Sequence, residues 1–189
     1  MAEDIKTESA DKRLNDLVAI TVVLLSVFMA VSNIKDDNVV QAMLNVKAEA
    51  VDAWAEYQAA RLKLHVDENG LLHLRLLETA GGVDRGLSAT QAADYESDLA
   101  KYEGRSAETM AKAKAMEAEY KRLGFRDDQF DISEAFLSIG VAVAAVATLV
   151  ERYIVLYIAW GSGTLGITFG AAGFAGWNLR PEWLAQLLA

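Results

Sequence analysis

Three stretches of the chain are apolar enough to cross a membrane, and a long polar segment separates the first from the second. Residues 17–34 carry no charge, and at about 1.5 Å per residue they form about 27 Å of helix, close to the thickness of a hydrocarbon core. Residues 132–150 are interrupted only by Glu134, and residues 153–179 again carry no charge. The pattern predicts a transmembrane helix in each stretch, the second and third joined as a hairpin across two charged residues.

All three of these spans have a competing interpretation. Lys12 and Arg13 precede the first stretch and small residues end it, which also fits a cleavable secretory signal, but the five acidic residues among residues 1–16 argue for an anchor. The last two stretches also fit one bent helix followed by a glycine-rich re-entrant segment, although we favour the hairpin. Residues 1–16 are read as a polar tail, and residues 180–189 as a short helix lying in the membrane interface.

The segment between the first two spans, residues 35–131, predicts two long helices with matching apolar seams. It contains 13 basic and 19 acidic residues and is rich in Ala, Glu, Lys and Gln, without the alternation typical of strands. Steps of three and four residues, which are typical of helices packed along a left-handed supercoil, connect two series of uncharged positions. The first is Val39, Met43, Val46, Ala50, Ala53, Tyr57, Ala60 and Leu64; the second is Ala92, Tyr95, Leu99, Tyr102, Ser106, Thr109, Ala113, Met116, Tyr120 and Leu123.

Candidate start and stop signals divide this segment into an antiparallel hairpin of matched lengths. Asn69 and Gly70 predict the end of the first helix, with a separate apolar helix at 71–79; a continuous, kinked helix through Gly70 is the alternative. Ser88 with Gln91 resembles a capping box that starts the second helix, and Gly124 resembles its left-handed C-terminal cap. Because both ends of the segment adjoin predicted spans, the hairpin is expected to form a stalk on one side of the membrane.

Each predicted stalk helix carries a second stripe beside its seam. On the first helix this stripe includes Val40, Leu44, Val51 and Trp54, the last next to Tyr57 of the seam. On the second helix it consists of small residues, which permit close helix approach, at Ala93, Ser97, Ala100, Gly104, Ala107, Ala111 and Ala118. We interpret the second stripes as interfaces between protomers, and the alternative is that the segment 71–79 covers them.

The predicted spans carry small residues at helix-packing intervals. Gly166 and Gly170 form G-x-x-x-G in the third span, and Gly140 and Ala144 have the same spacing in the second. In lipid, close packing drives helix association, so these faces predict contacts, either within the membrane hairpin or between chains.

Glu134 is the one acidic residue within an apolar stretch. An intramembrane carboxylate is a candidate ion or proton site. Asp131 and Glu134 also have the spacing of a capping box at the start of the second span, which is the interpretation we favour.

Charge and composition exclude several classes of function. The net charge of −9 argues against nucleic acid as a partner, since binding phosphate requires clustered basic residues. With no cysteine, disulfides and thiol chemistry are excluded. His65 and His73 are the only histidines, and their spacing enforces no metal geometry. No metal, cofactor or catalytic residue is therefore expected, and an enzyme is the least favoured class.

The order of these elements resembles a family of uncharacterised bacterial membrane proteins, domain of unknown function 4337. The resemblance rests on the first span, the helix containing WAEYQAARLK from Trp54, the second span with FLSIGVAVAAVATLVERY, and the glycine-rich third span. It implies three spans and a helical loop, and it brings no activity, cofactor or catalytic residue.

The sequence therefore predicts an all-α integral membrane protein with three transmembrane helices and a long, coiled-coil-like antiparallel hairpin between the first and second. We expect it in the bacterial inner membrane as a multi-pass homo-oligomer, acting as a scaffold or accessory subunit of a larger membrane complex. The alternative is a small oligomeric channel or transporter component with Glu134 near the pore mouth. The distribution of basic residues around the spans does not decide on which side of the membrane the stalk lies.

Overall fold

The structure, a computed structural model, describes residues 2–177 and residue 179, with side chains from residue 12 onward. It contains three helices: α1 (Ala2–Thr79), α2 (Arg85–Val150) and α3 (Tyr153–Ala175). No strand occurs in that part of the chain. The prediction of an all-helical chain is confirmed, whereas the short interfacial helix predicted at residues 180–189 lies outside the described residues.

The turn between α1 and α2 is built from specific capping interactions. At the end of α1, the amide of Gly82 donates to the Leu77 carbonyl and the amide of Gly81 to the Glu78 carbonyl. With Gly81 at φ +76°, this is a Schellman motif. Asp84 then starts α2, because its Oδ1 accepts hydrogen bonds from the next two free amides, those of residues 86 and 87.

Three of the predicted helix boundaries are wrong. The first helix continues through Gly70 to Thr79, so residues 71–79 form its last turns and not a separate helix. Ser88 is buried inside α2, whose cap is Asp84. Gly124 lies inside the same helix, which continues without a break to Val150. Glycine costs only about 1 kcal/mol in a helix interior, less than the packing of a long seam contributes.

The chain divides into two units, and α1 and α2 contribute to both. The hairpin unit, residues 44–120, is an antiparallel pair of helices. Its contacts run in opposite directions along the two helices: Lys47 lies over the Tyr120 ring, Lys63 over the Tyr102 ring, and Arg75 binds Glu96. Every position of the two predicted seams is buried or half-buried, which confirms the pairing of the two long helices.

The bundle unit comprises residues 1–43 and 121–189, of which the described part contains three helices. One buried apolar cluster joins all three of them: Leu14, Val18, Ala144, Ala147, Leu156 and Ala159. Between α2 and α3 the chain turns through Glu151, at φ +52°, within the predicted charged connection. The third helix is shorter than its apolar stretch, because Gly176 at φ +67° caps it after Ala175.

All three helices are long and apolar enough to cross a membrane. Between 22% and 33% of each helix's most apolar window is buried inside the protein. Large apolar side chains therefore point outward from every helix, such as Val27 from α1, Leu149 from α2 and Ile158 from α3. Exposed apolar area on this scale requires a covering, such as lipid or another protein.

Candidate functional site

A cluster of aspartates lies in the bundle unit beside the apolar windows of α1 and α2. Asp36 and Asp127 are joined by a hydrogen bond between their side chains, and Asp131 lies one turn further along α2. Each aspartate lies one step beyond its helix's seam: Asp36 is three residues before Val39, and Asp127 is four residues after Leu123. The packing of the two seams therefore brings the two carboxyl groups together. The apolar packing on either side thus holds carboxyl groups from two helices together.

Burial and crowding raise the pKa of all three aspartates. Asp36 shows the largest change: desolvation, followed by the charges of Asp127 and Asp131, raises its pKa from 3.8 to about 7. Desolvation also raises the pKa of Asp127, although the hydrogen bond from Asp36 opposes this effect, and it raises the pKa of Asp131. The pair therefore holds a proton near neutral pH, with the protonated Asp36 donating to the carboxylate of Asp127.

Polar side chains of α2 in the same unit hold the C-terminal end of α3. The guanidinium of Arg126 donates two hydrogen bonds to the Gly173 carbonyl, at 3.1 and 3.0 Å. The amide of the buried Gln129 donates to the carbonyls of Trp177 and Leu179. A cation at a helix C-terminus stabilises the free carbonyls and the negative end of the helix dipole. Arg126 and Gln129 therefore position α3 and are not available as ligands.

The described residues contain no group of three His, Asp or Glu side chains arranged to hold a metal ion. His65 is hydrogen-bonded to Glu68 within one turn of α1.

The interface residues predicted on the first stalk helix occupy the exposed side of the hairpin unit. Leu44 is 65% exposed and Val51 is 58% exposed. Trp54 and Tyr57 lie at one edge, half-buried, with their rings edge to face at 5.5 Å. The indole nitrogen of Trp54 donates to Glu117 Oε1 at 2.9 Å, which ties that edge to α2. Residues 71–79 do not fold back over this surface, so that alternative is wrong.

We call the exposed apolar surface of α1 its outer stripe. Its members recur every three or four residues, all are exposed, and none is charged: Leu44, Ala48, Val51, Ala55, Ala59, Leu62 and Val66. The outer stripe of α2 is likewise exposed and consists of small residues: Ala93, Ser97, Ala100, Gly104, Ala107, Ala111, Ala115 and Ala118. The hairpin unit thus has apolar surface on both of its outward faces.

The small residues predicted in the spans pack against other helices of the same chain. A Cβ on Gly166 would lie 2.7 Å from Leu137 Cγ, and one on Gly170 would lie 2.7 Å from the Phe28 ring. A Cβ on Gly140 would lie 3.2 Å from the Ala159 carbonyl oxygen of α3, and Ala144 belongs to the buried cluster. Of the two alternatives left open by the sequence, contacts within the chain account for these positions.

Glu134 is exposed on α2, and the favoured explanation of this residue is wrong. Because α2 continues unbroken from Arg85 to Val150, there is no helix N-terminus for Asp131 and Glu134 to cap. Glu134 instead projects from the first turn of the apolar stretch, and its charge is one of those that raise the pKa of Asp131.

The pair of Asp36 and Asp127 was not predicted from the sequence, although the sequence contains a signal for it. Extending each apolar seam by one step towards the predicted spans reaches a carboxylate on both helices. A charged residue at a seam position must be buried, neutralised or paired. The predicted seams begin at Val39 and end at Leu123, one step short of the two aspartates.

The model of the family described as "Domain of unknown function (DUF4337)" matches residues 14–176. This match spans the first two apolar stretches, most of the third and the whole hairpin unit, so the chain belongs to that family, as the sequence motifs indicated. The chain matches no curated protein and no solved structure.

Proposed function

We propose that this member of the DUF4337 family is an integral protein of the bacterial inner membrane that assembles with itself and acts as a scaffold or accessory subunit. In this proposal the three apolar helices anchor the chain in the bilayer. The hairpin unit mediates the interactions: in water it presents apolar surface to other copies and to a partner within a larger membrane complex.

The observation that carries the proposal is the exposed apolar surface of the hairpin unit. An amphipathic pair of helices needs apolar residues only where the helices meet, yet both outer stripes are uncharged as well. Contiguous exposed apolar surface on a domain that is otherwise rich in charge marks interaction sites. Near the turn, Leu76 and Leu87 are 59% and 73% exposed, which provides a second apolar surface for a partner.

Assembly is tested by light scattering of the full chain in a mild detergent. We expect a particle with a protein mass that is a multiple of 20.5 kDa. Val51→Glu places a charge in the outer stripe of α1 and is expected to reduce the mass. The matched control Glu49→Lys changes the charge of an exposed residue outside the stripe and is expected to leave the mass unchanged. A monomer at every concentration would overturn the proposed assembly.

Binding of a partner is tested by placing a photoreactive amino acid at Leu76 in the full chain in native membranes. We expect a cross-linked product containing a second, different protein, absent when the same group replaces the exposed Val27 in the apolar stretch of α1. Products containing only further copies of this chain would contradict a scaffold that presents its turn to a partner.

A channel or transporter component is the second candidate, and the position of Glu134 favours it. This carboxylate is exposed, lies in an apolar stretch and has no helix end to cap. The described part of one chain is packed through its centre by apolar side chains, so a pore would have to form between several copies.

The two candidates differ in the effect of Glu134→Gln on the protein in lipid vesicles. For a channel, ion flux changes while the assembly keeps its mass. For a scaffold, vesicles with either form show no flux above protein-free vesicles, and cross-linking to the partner is unaffected.

A further inference from the structure

A groove in the bundle unit opens between α1 and α3 within their apolar stretches. Its floor consists of Leu25 and Gly163, which pack so closely that a Cβ on the glycine would lie 2.8 Å from the leucine Cδ2. Leu24 of α1 and Trp160 and Ile167 of α3 form its walls, and all three are exposed. The cavity has a volume of about 230 Å³. Because sites for drug-sized ligands measure roughly 300–1,000 Å³, the groove fits a narrower ligand, such as a segment of one hydrocarbon chain.

The polar side chains that line the groove are hydrogen-bonded within the chain. The indole nitrogen of Trp160 donates to Thr21 Oγ1 at 2.8 Å, and that hydroxyl donates to the Leu17 carbonyl at 2.7 Å. The hydroxyl of Thr164 donates to the Trp160 carbonyl. An ion or a polar ligand needs polar partners, and this lining has no side-chain donor left for one. The lining therefore favours hydrocarbon as the occupant.

Two arginines lie at the same level beyond one end of the groove. The hydrogen bond between Thr21 and Trp160 is followed about one turn later on both helices by the contact in the groove floor, so α1 and α3 run in the same direction. Arg13 precedes Thr21 by eight residues, and Arg152, which directly precedes α3, precedes Trp160 by eight. At about 1.5 Å per residue, both arginines lie about 12 Å before the start of the groove.

Helical spacing places both arginines on the side of the bundle that carries the groove. Arg13 is 11 residues, about three turns, before Leu24 in the wall, and Arg152 is 11 residues before Gly163 in the floor. Lys12 adjoins Arg13 but lies about 120° around α1 from Leu24. The two arginines are therefore aligned with the groove, and the neighbouring lysine is not.

Both arginines are exposed, and their charges are available to a ligand. Asp16 is one turn from Arg13 and Glu151 adjoins Arg152, yet among residues 12–177 neither arginine forms an ion pair. A guanidinium group binds phosphate oxygens through two parallel hydrogen bonds. Two such groups beside one end of an apolar groove are complementary to an anionic phospholipid, which carries its phosphate at one end of its acyl chains.

The distance between the arginines and the groove agrees with the dimensions of one leaflet. Half of a bilayer, headgroups included, is about 20–22 Å thick. Measured from the level of the arginines, the groove begins at about 12 Å and ends near Ile167, 15 residues or about 22 Å after Arg152. Leu17 and Tyr157 are exposed between those levels and offer contact to the first half of an acyl chain. The groove then lies at the depth of the second half.

We infer that the bundle unit binds an anionic phospholipid, with Arg13 and Arg152 on the headgroup phosphate and the end of one acyl chain in the groove between α1 and α3. This inference rests on the proposed anchoring in the membrane and does not depend on self-assembly or on a protein partner. The bound chain fills a cavity whose lining otherwise lacks packing contacts, so the lipid stabilises the pairing of α1 with α3.

The test measures quenching of tryptophan fluorescence in the full chain, reconstituted in phosphatidylcholine vesicles. A fraction of the lipid is replaced either by phosphatidylglycerol or by phosphatidylcholine brominated near the end of the acyl chain, where bromine quenches an adjacent indole. The contribution of Trp160 is the difference between the natural chain and Trp160→Phe. We expect phosphatidylglycerol to reach half-maximal quenching at about a tenth of the mole fraction that phosphatidylcholine needs, because basic residues attract anionic headgroups.

Matched variants test the two parts of the site. Arg13→Gln should reduce the preference for phosphatidylglycerol about threefold, and adding Arg152→Gln should abolish it. Lys12→Gln removes the same charge at the same level but away from the groove, and it should retain the preference. Thr164→Phe fills the groove from one wall and should also abolish the preference. Thr168→Phe, at an exposed residue one turn further along α3 and outside the lining, should retain it.

The outcomes separate this inference from the proposed anchoring. Equal quenching by the two lipids, or a preference that survives loss of both arginines or filling of the groove, would overturn the lipid site. If neither lipid quenches Trp160 in a chain that floats with the vesicles, protein covers the groove, such as a span of a second copy. That result would overturn the inference and leave the anchoring intact. A chain that does not float with the vesicles would overturn both.

Discussion

The ring of Tyr95 on α2 lies against the backbone of Gly70 on α1, where a Cβ would be 2.7 Å from its Cζ atom. This contact explains why a glycine occurs in the interior of an unbroken helix. The absence of a side chain at residue 70 makes room for an aromatic residue of the opposing seam. The glycine thus serves the packing between two helices and does not end the first one.

Replacing Gly70 should therefore have different effects on the melting temperature in two backgrounds. Alanine stabilises a helix interior by about 1 kcal/mol relative to glycine. In the natural chain, Gly70→Ala displaces the Tyr95 ring and should leave the melting temperature unchanged or lower. In a Tyr95→Ala chain the same change should raise it. Thermal unfolding of the four proteins forms a double-mutant cycle, and an identical effect in both backgrounds would show that the two residues are not coupled.

The proton held by Asp36 and Asp127 predicts a stability that falls as the pH rises. The pKa of Asp36 is 3.8 when unfolded and about 7 in the fold, so between those values the folded state binds a proton that the unfolded state releases. Its stabilising effect is complete below about pH 4 and is lost as the pH rises to 7. The raised pKa values of Asp127 and Asp131 act in the same direction.

We therefore expect the protein in detergent to melt at a higher temperature at pH 5 than at pH 8. In Asp36→Asn, which keeps the shape and cannot titrate, the difference should shrink. Asp52→Asn, at an exposed carboxylate outside the cluster, is the control and should retain the full difference. A natural protein whose melting temperature is constant from pH 5 to pH 8 would refute the shared proton.

The glycine face of α3 predicts two contrasting alanine variants. In Gly166→Ala the new methyl group meets Leu137, including its backbone nitrogen at 3.0 Å, and overpacking of this kind costs about 1–3 kcal/mol. Gly161 lies on the same helix with nothing within 4 Å of its Cβ position. We expect a lower melting temperature for Gly166→Ala and little change for Gly161→Ala. Equal effects would mean that α3 packs by another face.

The hydrogen bond between Trp54 and Glu117 is partly exposed, so its loss should have a small effect. Trp54→Phe keeps an aromatic ring and removes the donor, and we expect the free energy of unfolding to fall by about 1 kcal/mol. Glu117→Gln keeps the accepting oxygen and should be closer to the natural protein. A loss of several kcal/mol in Trp54→Phe would show that Trp54 contributes more to stability than a single hydrogen bond.

The periodic features of this fold were predictable from sequence, and the helix boundaries were not. Both seams could be located because each position repeats a simple spacing. The helix ends predicted at Gly70 and Gly124 were wrong. A glycine disfavours a helix only locally, and the packing of a seam that continues past it stabilises the helix by more. Whether Gly70 ends a helix depends on Tyr95, a residue 25 positions away whose placement follows only from the pairing of the helices.

The candidate sites were predictable to a different extent. The outer stripes follow from the same periodicity: Leu44 and Val51 are exposed, and their role at an interface stays a prediction. The aspartate pair depends on which residues of two distant segments lie at the same level. Its raised pKa values arise from desolvation between helices, which a pattern along one segment does not reveal.

The central claim is that the apolar stretches lie in lipid while the hairpin unit lies in water, and single cysteines in this cysteine-free chain test it directly. Val27, Leu149 and Ile158 are exposed in the structure, as is Lys63 of the hairpin unit. In membrane fragments open on both sides, we expect a charged, water-soluble maleimide to label Lys63→Cys fully and the other three cysteines hardly at all, until detergent denaturation makes all four react. Equal labelling of all four in intact membranes would contradict the account.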